Sequence, residues 1–315
     1  MKKIIYVTGC LGFIGSAVTK KLLDDGHYVL GIDKETYAAN LNFLPELQKY
    51  KNFKYQKIDI NDLDSLVDCD VIVNTAAETH VDNSIIGTNK FIRSNILGVE
   101  NLLNLILTKR HFKLPTFIQF STDEVYGDIV SGSHKETDIL KPSNPYSASK
   151  AAADMLVLAW SRTYKIPYVI VRPTNNYGIG QYTEKFIPKS CKQLLLNKKI
   201  PLHEKGTPVR TWLHAEDTAN AILQIINKEK NNEIYNISGN YECSNIEIIK
   251  KILNTFFDQA VNIDNYVDLN YNRIGQDVRY SVDDTKLKNI GWSPVKILDE
   301  ELKTIVSYYK NNFIW

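Results

Sequence analysis

The chain has few cysteines and no pattern among them. Cys10, Cys69, Cys191 and Cys243 are scattered without CxxC spacing, and the six histidines contain no HxxxH pair. A disulfide framework and a metal site of ordinary spacing are therefore not expected. Free thiols in a reducing, cytoplasmic setting are. An excess of one charge is also lacking. The net charge is +2 with both signs interspersed, so no face suited to nucleic acid is expected. No apolar run reaches the roughly 18 residues that would cross a bilayer. The basic start "MKKIIYVTGCLGFIG" is broken by glycines too early to act as a signal peptide. Repeats, low-complexity tracts and Pro/Gly/Ser-rich linkers are missing too. What remains is 315 residues, 43% hydrophobic and 23% charged, a composition that suits one large or two modest globular domains.

Apolar periodicity alternates along the first half. Strand-like runs at 2–9, 27–33, 52–60, 70–77, 115–121 and 167–173 are separated by helical patterns at 13–26, 89–109 and 145–164. Strands separated by helices predict an α/β fold, a doubly wound parallel sheet of Rossmann type, over residues 1–175. Beyond it the pattern loosens into a smaller C-terminal α/β lobe, 176–315. Some of its elements, such as a helix at 216–227 and a strand at 233–238, are free to return to the main sheet.

Three stretches carry chemistry. "VTGCLGFIG" sets Gly9, Gly12 and Gly15 between the first strand and the first helix. Glycines there let the backbone turn tightly and approach a pyrophosphate at the helix N-terminus. Asp33 ends the second strand 18 residues after Gly15, where an acid can bind a ribose and favour NAD over NADP. Asp59, after the third strand, can approach the adenine or serve only as a turn residue. A plain βαβ turn with a surface acid is the alternative to the whole unit.

"NPYSASK" places Asn144 as a helix N-cap, Pro145 at the first helical position and Tyr146 and Lys150 four apart on one face. An ammonium beside a phenol is expected to lower the phenol pKa. The phenolate can then take a proton from a substrate hydroxyl as hydride leaves for NAD. The third stretch is "FSTDEVYGD", where a core strand stops at Ser121, Thr122, Asp123 and Glu124. Read alone, these residues can simply cap a helix.

Together these stretches resemble the extended short-chain dehydrogenase/reductases that act on nucleotide sugars. The similarity is strongest to the dTDP- and UDP-glucose 4,6-dehydratases, and it continues through "AAETHVDNS", "NNYGIGQYTEKFIP", "VRTWLHAEDTANAI" and "RIGQDVRYSVDDTKL". Epimerases and decarboxylases of the family usually carry Ser or Thr and then small residues where this chain has Thr122, Asp123 and Glu124. The resemblance implies that Tyr146, supported by Lys150, deprotonates the C4 hydroxyl while Thr122 holds its oxygen. It further implies that Glu124 removes the C5 proton and that protonated Asp123 expels the C6 hydroxyl as water. NAD, regenerated each turn, would be lined by Gly9, Gly12, Phe13, Ile14, Gly15, Asp33, Lys34, Thr36, Asp59, Ile60, Ala76, Ala77, Thr79, Tyr146, Lys150 and Asn175. Asn176, Glu184, Lys185, Arg210, Asn245 and Arg273, with Thr122, would meet the sugar nucleotide.

The chain departs from the dTDP-glucose pattern at Cys10, at Asn83, where Arg is common, and at Ile274 and Gln276. Asn83 leans the nucleotide toward UDP. The implied product is a 4-keto-6-deoxy sugar of rhamnose-type pathways. A 4-epimerase, a decarboxylase or a non-catalytic NAD sensor on the same scaffold are the alternatives. No metal is implied. The helices at 89–109 and 145–164 are apolar on more than one face, and relatives pair them in a four-helix bundle, so a homodimer is expected.

Overall fold

A computed structural model describes residues 1–108, 113–228, 230–271 and 277–312. Six strands lead the chain: β1 (Ile4–Thr8), β2 (Tyr28–Asp33), β3 (Phe53–Lys57), β4 (Val71–Asn74), β5 (Thr116–Phe120) and β6 (Tyr168–Pro173). Next come β7 (Asn175–Tyr177), β8 (Ile200–His203), β9 (Val209–His214), β10 (Glu233–Ile237), β11 (Tyr241–Ser244) and β12 (Val267–Tyr271). The main sheet has the order β10-β6-β5-β4-β1-β2-β3, and every pair in it is parallel. Its central strands read as near-continuous apolar runs because both faces are covered.

On one face Val7, Val73, Ile118 and Val171 pack with Val18 and Leu22 of helix Phe13–Asp24 and with Ile222 and Ile225 of helix Ala215–Lys228. On the other, Tyr6, Ile72, Phe117 and Ile170 meet Val99, Leu102 and Ile106 of helix Gly98–Thr108 and Val157 of helix Pro145–Tyr164. The strand order reverses between β1 and β4, and ligands of open α/β sheets bind outside the strand ends at such a switch. Polar side chains at those ends are satisfied internally. Thr8 Oγ1 donates to Asn74 Oδ1 at 2.6 Å, and Asn74 Nδ2 donates to Gln119 Oε1 at 2.8 Å.

A second body has its own core of Ile187, Leu202, Trp212, Ile249, Leu253 and Ile305. It contains the sheet β11-β9-β7 and the pair β12-β8. Strand β10 and helix Ala215–Lys228 leave it and complete the main sheet and its cover.

The segment expected as one helix at 89–109 differs from that expectation. It runs as helix Asn89–Phe91, a π-helical stretch Ile92–Leu97 and helix Gly98–Thr108. The wider π turn coincides with buried Asn95, whose side chain accepts from Glu78 N at 2.8 Å and donates to Glu78 O at 3.0 Å and Ser149 Oγ at 2.8 Å. A loop at the cleft is thereby tied to the helix that carries Tyr146.

Candidate active site

The glycine loop leaves β1 at the switch point. Gly9 has φ +68°, and a Cβ there would lie 2.9 Å from the Ala76 backbone. A Cβ on Gly15 would lie 2.0 Å from the Gly9 carbonyl oxygen. Neither position tolerates a side chain. Helix Phe13–Asp24 begins at Gly12 with no side-chain cap, so its first N–H groups remain free for an anion.

Beside this loop opens a cleft of about 320 Å³. It is bordered by Gly9, Gly12, Phe13, Ile14, Gly15, Asp33, Lys34, Thr36, Asp59, Ile60, Ala76, Ala77, Thr79, Tyr146 and Asn175, and also by Thr122, Asp123, Glu124, Asn176, Glu184 and Lys185. Asp33 is fixed at both oxygens, accepting from Leu11 N at 3.0 Å and Glu35 N at 2.8 Å. Burial raises its pKa against those bonds. Burial also acts on Asp59, but Asn61 hydrogen bonds and the Lys34 ammonium outweigh it and hold the carboxyl low. An uncapped helix start, a loop with no room for a Cβ and a pinned acid at the end of β2 together fit a dinucleotide.

Where β5 ends, residues Asp123–Tyr126 form a single 3₁₀ turn. Thr122 caps it, its hydroxyl accepting from Glu124 N at 3.3 Å and donating to Asp123 Oδ1 at 3.1 Å. Asp123 is buried, and its Oδ2 has no hydrogen-bond partner. Burial and then the Glu124 carboxylate push its pKa up to about 7. Glu124 is half-buried, and Asn144 Nδ2 donates to its Oε2 at 3.3 Å.

Helix Pro145–Tyr164 starts as expected, with Asn144 Oδ1 accepting from Ser147 N at 2.9 Å and Pro at the first turn. Tyr146 faces the cleft near the Thr122 hydroxyl. Here the expected direction of its pKa is corrected: burial, followed by the Glu124 carboxylate, raises the phenol, while the Thr122 hydroxyl opposes them. Lys150 is buried on the same helix and does not border the cleft. Burial lowers its ammonium to about 8, opposed by Asp154.

A second cleft of about 210 Å³ shares Thr79, Glu124, Asn175, Glu184 and Lys185 with the first. Arg210 and Asn245 border it, as do Lys189, His203 and Tyr280, which sequence reasoning did not single out. Arg210 lies over the Tyr280 ring at 4.3 Å and donates to Val209 O at 2.8 Å and Asp277 O at 3.1 Å. Lys185 Nζ bridges to Thr79 O and Oγ1, both at 2.9 Å. Only Lys189 had a legible signal, one helical turn beyond Lys185. Asn176 borders the first cleft, yet its side chain is engaged internally, donating to Thr174 O at 2.9 Å and accepting from Thr218 Oγ1 at 2.6 Å. Asn83 borders neither cleft and donates to Tyr37 at 3.3 Å. Arg273, Ile274 and Gln276 lie outside the described residues. Among the described residues, no group of His, Cys, Asp and Glu is arranged to hold a metal ion.

A family model described as GDP-mannose 4,6 dehydratase matches residues 6–305. The low-salt glycan biosynthesis protein Agl12 of Haloferax volcanii is 38% identical, over 97% of this chain and 98% of that protein. The dTDP-glucose 4,6-dehydratase of Haemophilus influenzae is 38% identical over 98% of each. Among solved structures, DesIV, a dTDP-glucose 4,6-dehydratase from Streptomyces venezuelae with NAD bound, matches with a TM-score of 0.89. It is 34% identical, over 98% of this chain and 97% of that one.

Proposed function

The chain belongs to the nucleotide-sugar 4,6-dehydratases of the extended short-chain dehydrogenase/reductase family, and from that premise we propose how its own residues divide the reaction. It is an NAD-dependent hydro-lyase that converts a nucleoside-diphosphate-glucose to the 4-keto-6-deoxy sugar nucleotide. When bound, NAD supplies the oxidant for C4 and afterwards the reductant for C6, so it is unchanged over a turnover. Gly12, the free N–H groups of the first helix and Asp33 would hold it.

Tyr146 takes the proton of the C4 hydroxyl as that carbon is oxidised, and Thr122 holds the oxygen. The resulting ketone acidifies C5–H, and Glu124 removes that proton. Asp123 gives its own proton to the C6 hydroxyl, which departs as water, and Glu124 returns a proton to C5. At the end Tyr146 holds one proton more and Asp123 one fewer. The Thr122 hydroxyl touches both residues, so it connects the proton's source with its destination. One observation carries the elimination: Asp123 is a buried carboxyl with a free oxygen and a pKa near 7 beside a second acid. A carboxyl raised toward neutrality beside a second acid can serve with it as acid and base, and a 4-epimerase needs no such pair.

Arg210, Lys185 and Asn245 would bind the nucleoside diphosphate in the second cleft, with guanidinium geometry suited to phosphate. Arg273, outside the described residues, would join them. Asn83 supplied the lean toward uridine; it borders neither cleft and donates to Tyr37. The relatives named for dTDP-glucose make dTDP-glucose the first substrate to test. The product would feed rhamnose-type deoxysugars in a reducing cytoplasm, in keeping with four free cysteines. Exposed Ile92 and Leu97 beside one helix and Met155 on the other support a homodimer formed by those helices. As a working division, residues 1–175 hold the cofactor and 176–315 the nucleotide, with β10 and helix Ala215–Lys228 returned to the first unit.

Mixing the purified protein and NAD with dTDP-glucose or UDP-glucose decides the matter. A product lighter by one water and carrying a 4-ketone is expected. An isomer of unchanged mass would support the epimerase, and no turnover of either sugar nucleotide would leave the sensor.

A further inference from the structure

Helix Pro145–Tyr164 carries a third buried ionisable group, one turn beyond Lys150. Asp154 is 0% exposed, and its two oxygens are treated unequally. Its Oδ2 accepts from Arg172 Nε at 3.1 Å, from Arg172 Nη2 at 3.0 Å and from Ser121 Oγ at 3.0 Å. Its Oδ1 has no hydrogen-bond partner. Arg172, on β6, is fixed from its other side: Nη1 donates to the Tyr126 hydroxyl at 2.7 Å, which donates to Asn236 Oδ1 at 2.8 Å.

Arginine–carboxylate pairs are frequently forks that use both carboxylate oxygens. Here both guanidinium donors fall on one oxygen and the other is left over. A buried acceptor without a donor is costly and calls for a partner. A candidate by position is Lys150, four residues earlier on the same helical face and 3% exposed, whose charged form Asp154 supports against burial.

We propose that Asp154 is a positioning residue for C4 oxidation, its Oδ1 holding the Lys150 ammonium, directly or through one water, while Ser121 and Arg172 fix its Oδ2. The proposal rests on the reading that Lys150 supports Tyr146 in the oxidation of C4. Burial disfavours the charged ammonium, and Asp154 is the charge that opposes it. Other ionisable groups stand on the elements packed against this helix, Glu100 of helix Gly98–Thr108 among them. Tyr146 is on the helix itself, and Asp123, Glu124 and Tyr126 are in the 3₁₀ turn. Arg172 is on β6, and Asp82 is on helix Val81–Ile86. Arg93, on the π stretch, points to solvent and Asp62 at 3.3 Å. Ser121 immediately precedes Thr122, so the same carboxylate also anchors the start of the segment that holds the substrate oxygen.

A crystal structure of the wild-type protein with NAD bound is the first test. Asp154 Oδ1 should lie within hydrogen-bond distance of Lys150 Nζ or share one water with it. An Oδ1 that does neither overturns the proposal, whatever the fate of any variant. The second test labels lysine Cε with ¹³C and identifies Lys150 by the signal lost in Lys150→Met. Asp154→Asn should lower the Lys150 midpoint by about one pH unit or more, and Asp154→Glu should restore most of it. An unmoved midpoint overturns the proposal. In turnover, the deficit of Asp154→Asn should shrink toward acid pH, where Lys150 regains its proton, whereas a deficit equal at every pH marks a merely structural role. The first two readouts use no sugar nucleotide, so they stand or fall apart from the assigned reaction.

Discussion

Replacing Asp123 by Asn should make the protein more stable and almost inactive, and both effects have one cause. In the folded, cofactor-free chain, burial and the Glu124 carboxylate raise Asp123 from 3.8 to about 7. At about 1.4 kcal/mol per tenfold, ionising it there costs on the order of 4 kcal/mol. The folded pKa lies above the unfolded one, so this group's contribution is complete below pH 3.8 and is lost as pH rises through about 7. Asn copies the protonated form at every pH. The variant's advantage should therefore widen by roughly 2–3 kcal/mol between pH 5 and pH 8, which amounts to several degrees in Tm.

Calorimetry of cofactor-stripped wild type and variant at the two pH values measures that gap. The same substitution removes the acid that expels the C6 hydroxyl, so dehydration should slow about 10²–10⁴-fold. C4 oxidation should survive, leaving a reduced-nicotinamide absorbance that persists after substrate is added. Exchange of the C5 hydrogen with solvent deuterium should also survive, because Glu124 remains. A stability gap that does not change with pH would refute the raised carboxyl. Dehydration at the wild-type rate would refute Asp123 as the acid and return the segment to a structural cap.

Other expectations follow from neighbouring residues. Tyr146→Phe should slow C4 oxidation and every later event together, so no reduced-nicotinamide signal accumulates in stopped flow; a normal burst would exclude Tyr146 as the base. Glu124→Gln should oxidise C4 yet lose about 10²–10⁴-fold in C5 exchange, read by NMR in deuterated water, and wild-type exchange would move the base elsewhere. Asp33→Ala should weaken NAD binding in titration calorimetry and narrow the preference over NADP, whereas unchanged affinity would remove Asp33 from the ribose. Light scattering at micromolar concentration should give a dimer mass, which Ile92→Glu with Met155→Glu should halve; a wild-type monomer mass would refute the dimer.

Much of this was legible before any coordinates because it is local. A glycine loop between strand and helix, an acid at the next strand end and an Asn-Pro helix start all lie within short windows, where propensity and period decide. The illegible parts depend on distant partners. Strand β10 joins the edge of the main sheet by pairing with β6, some sixty residues earlier, and no local pattern specifies that. The π stretch coincides with Asn95 reaching the Glu78 backbone. The raised pKa of Tyr146 could not be read from its spacing to Lys150, because it depends on distant residues: Phe91 packs edge-on against the ring at 6.4 Å, and the Glu124 carboxylate adds to the effect of burial. The second cleft draws Lys189, His203 and Tyr280 from three separate segments.

The two readings of "STDE", a cap and an acid–base pair, turn out to be compatible. Capping falls to Thr122, whose hydroxyl accepts from the Glu124 N–H, and Asp123 Oδ2 is left without a hydrogen-bond partner. The turn that follows is 3₁₀, and at three residues per turn successive side chains point about 120° apart. Asp123 is thereby sent inward to 3% exposure, while Glu124 emerges where the two clefts meet. Burial, with the Glu124 carboxylate, raises Asp123 to about 7, so near neutrality it holds a proton that the proposed mechanism gives to the C6 hydroxyl. Both carboxyls border the first cleft, Asp123 the more deeply buried of the two, and under the proposed mechanism that difference in burial separates the acid from the base.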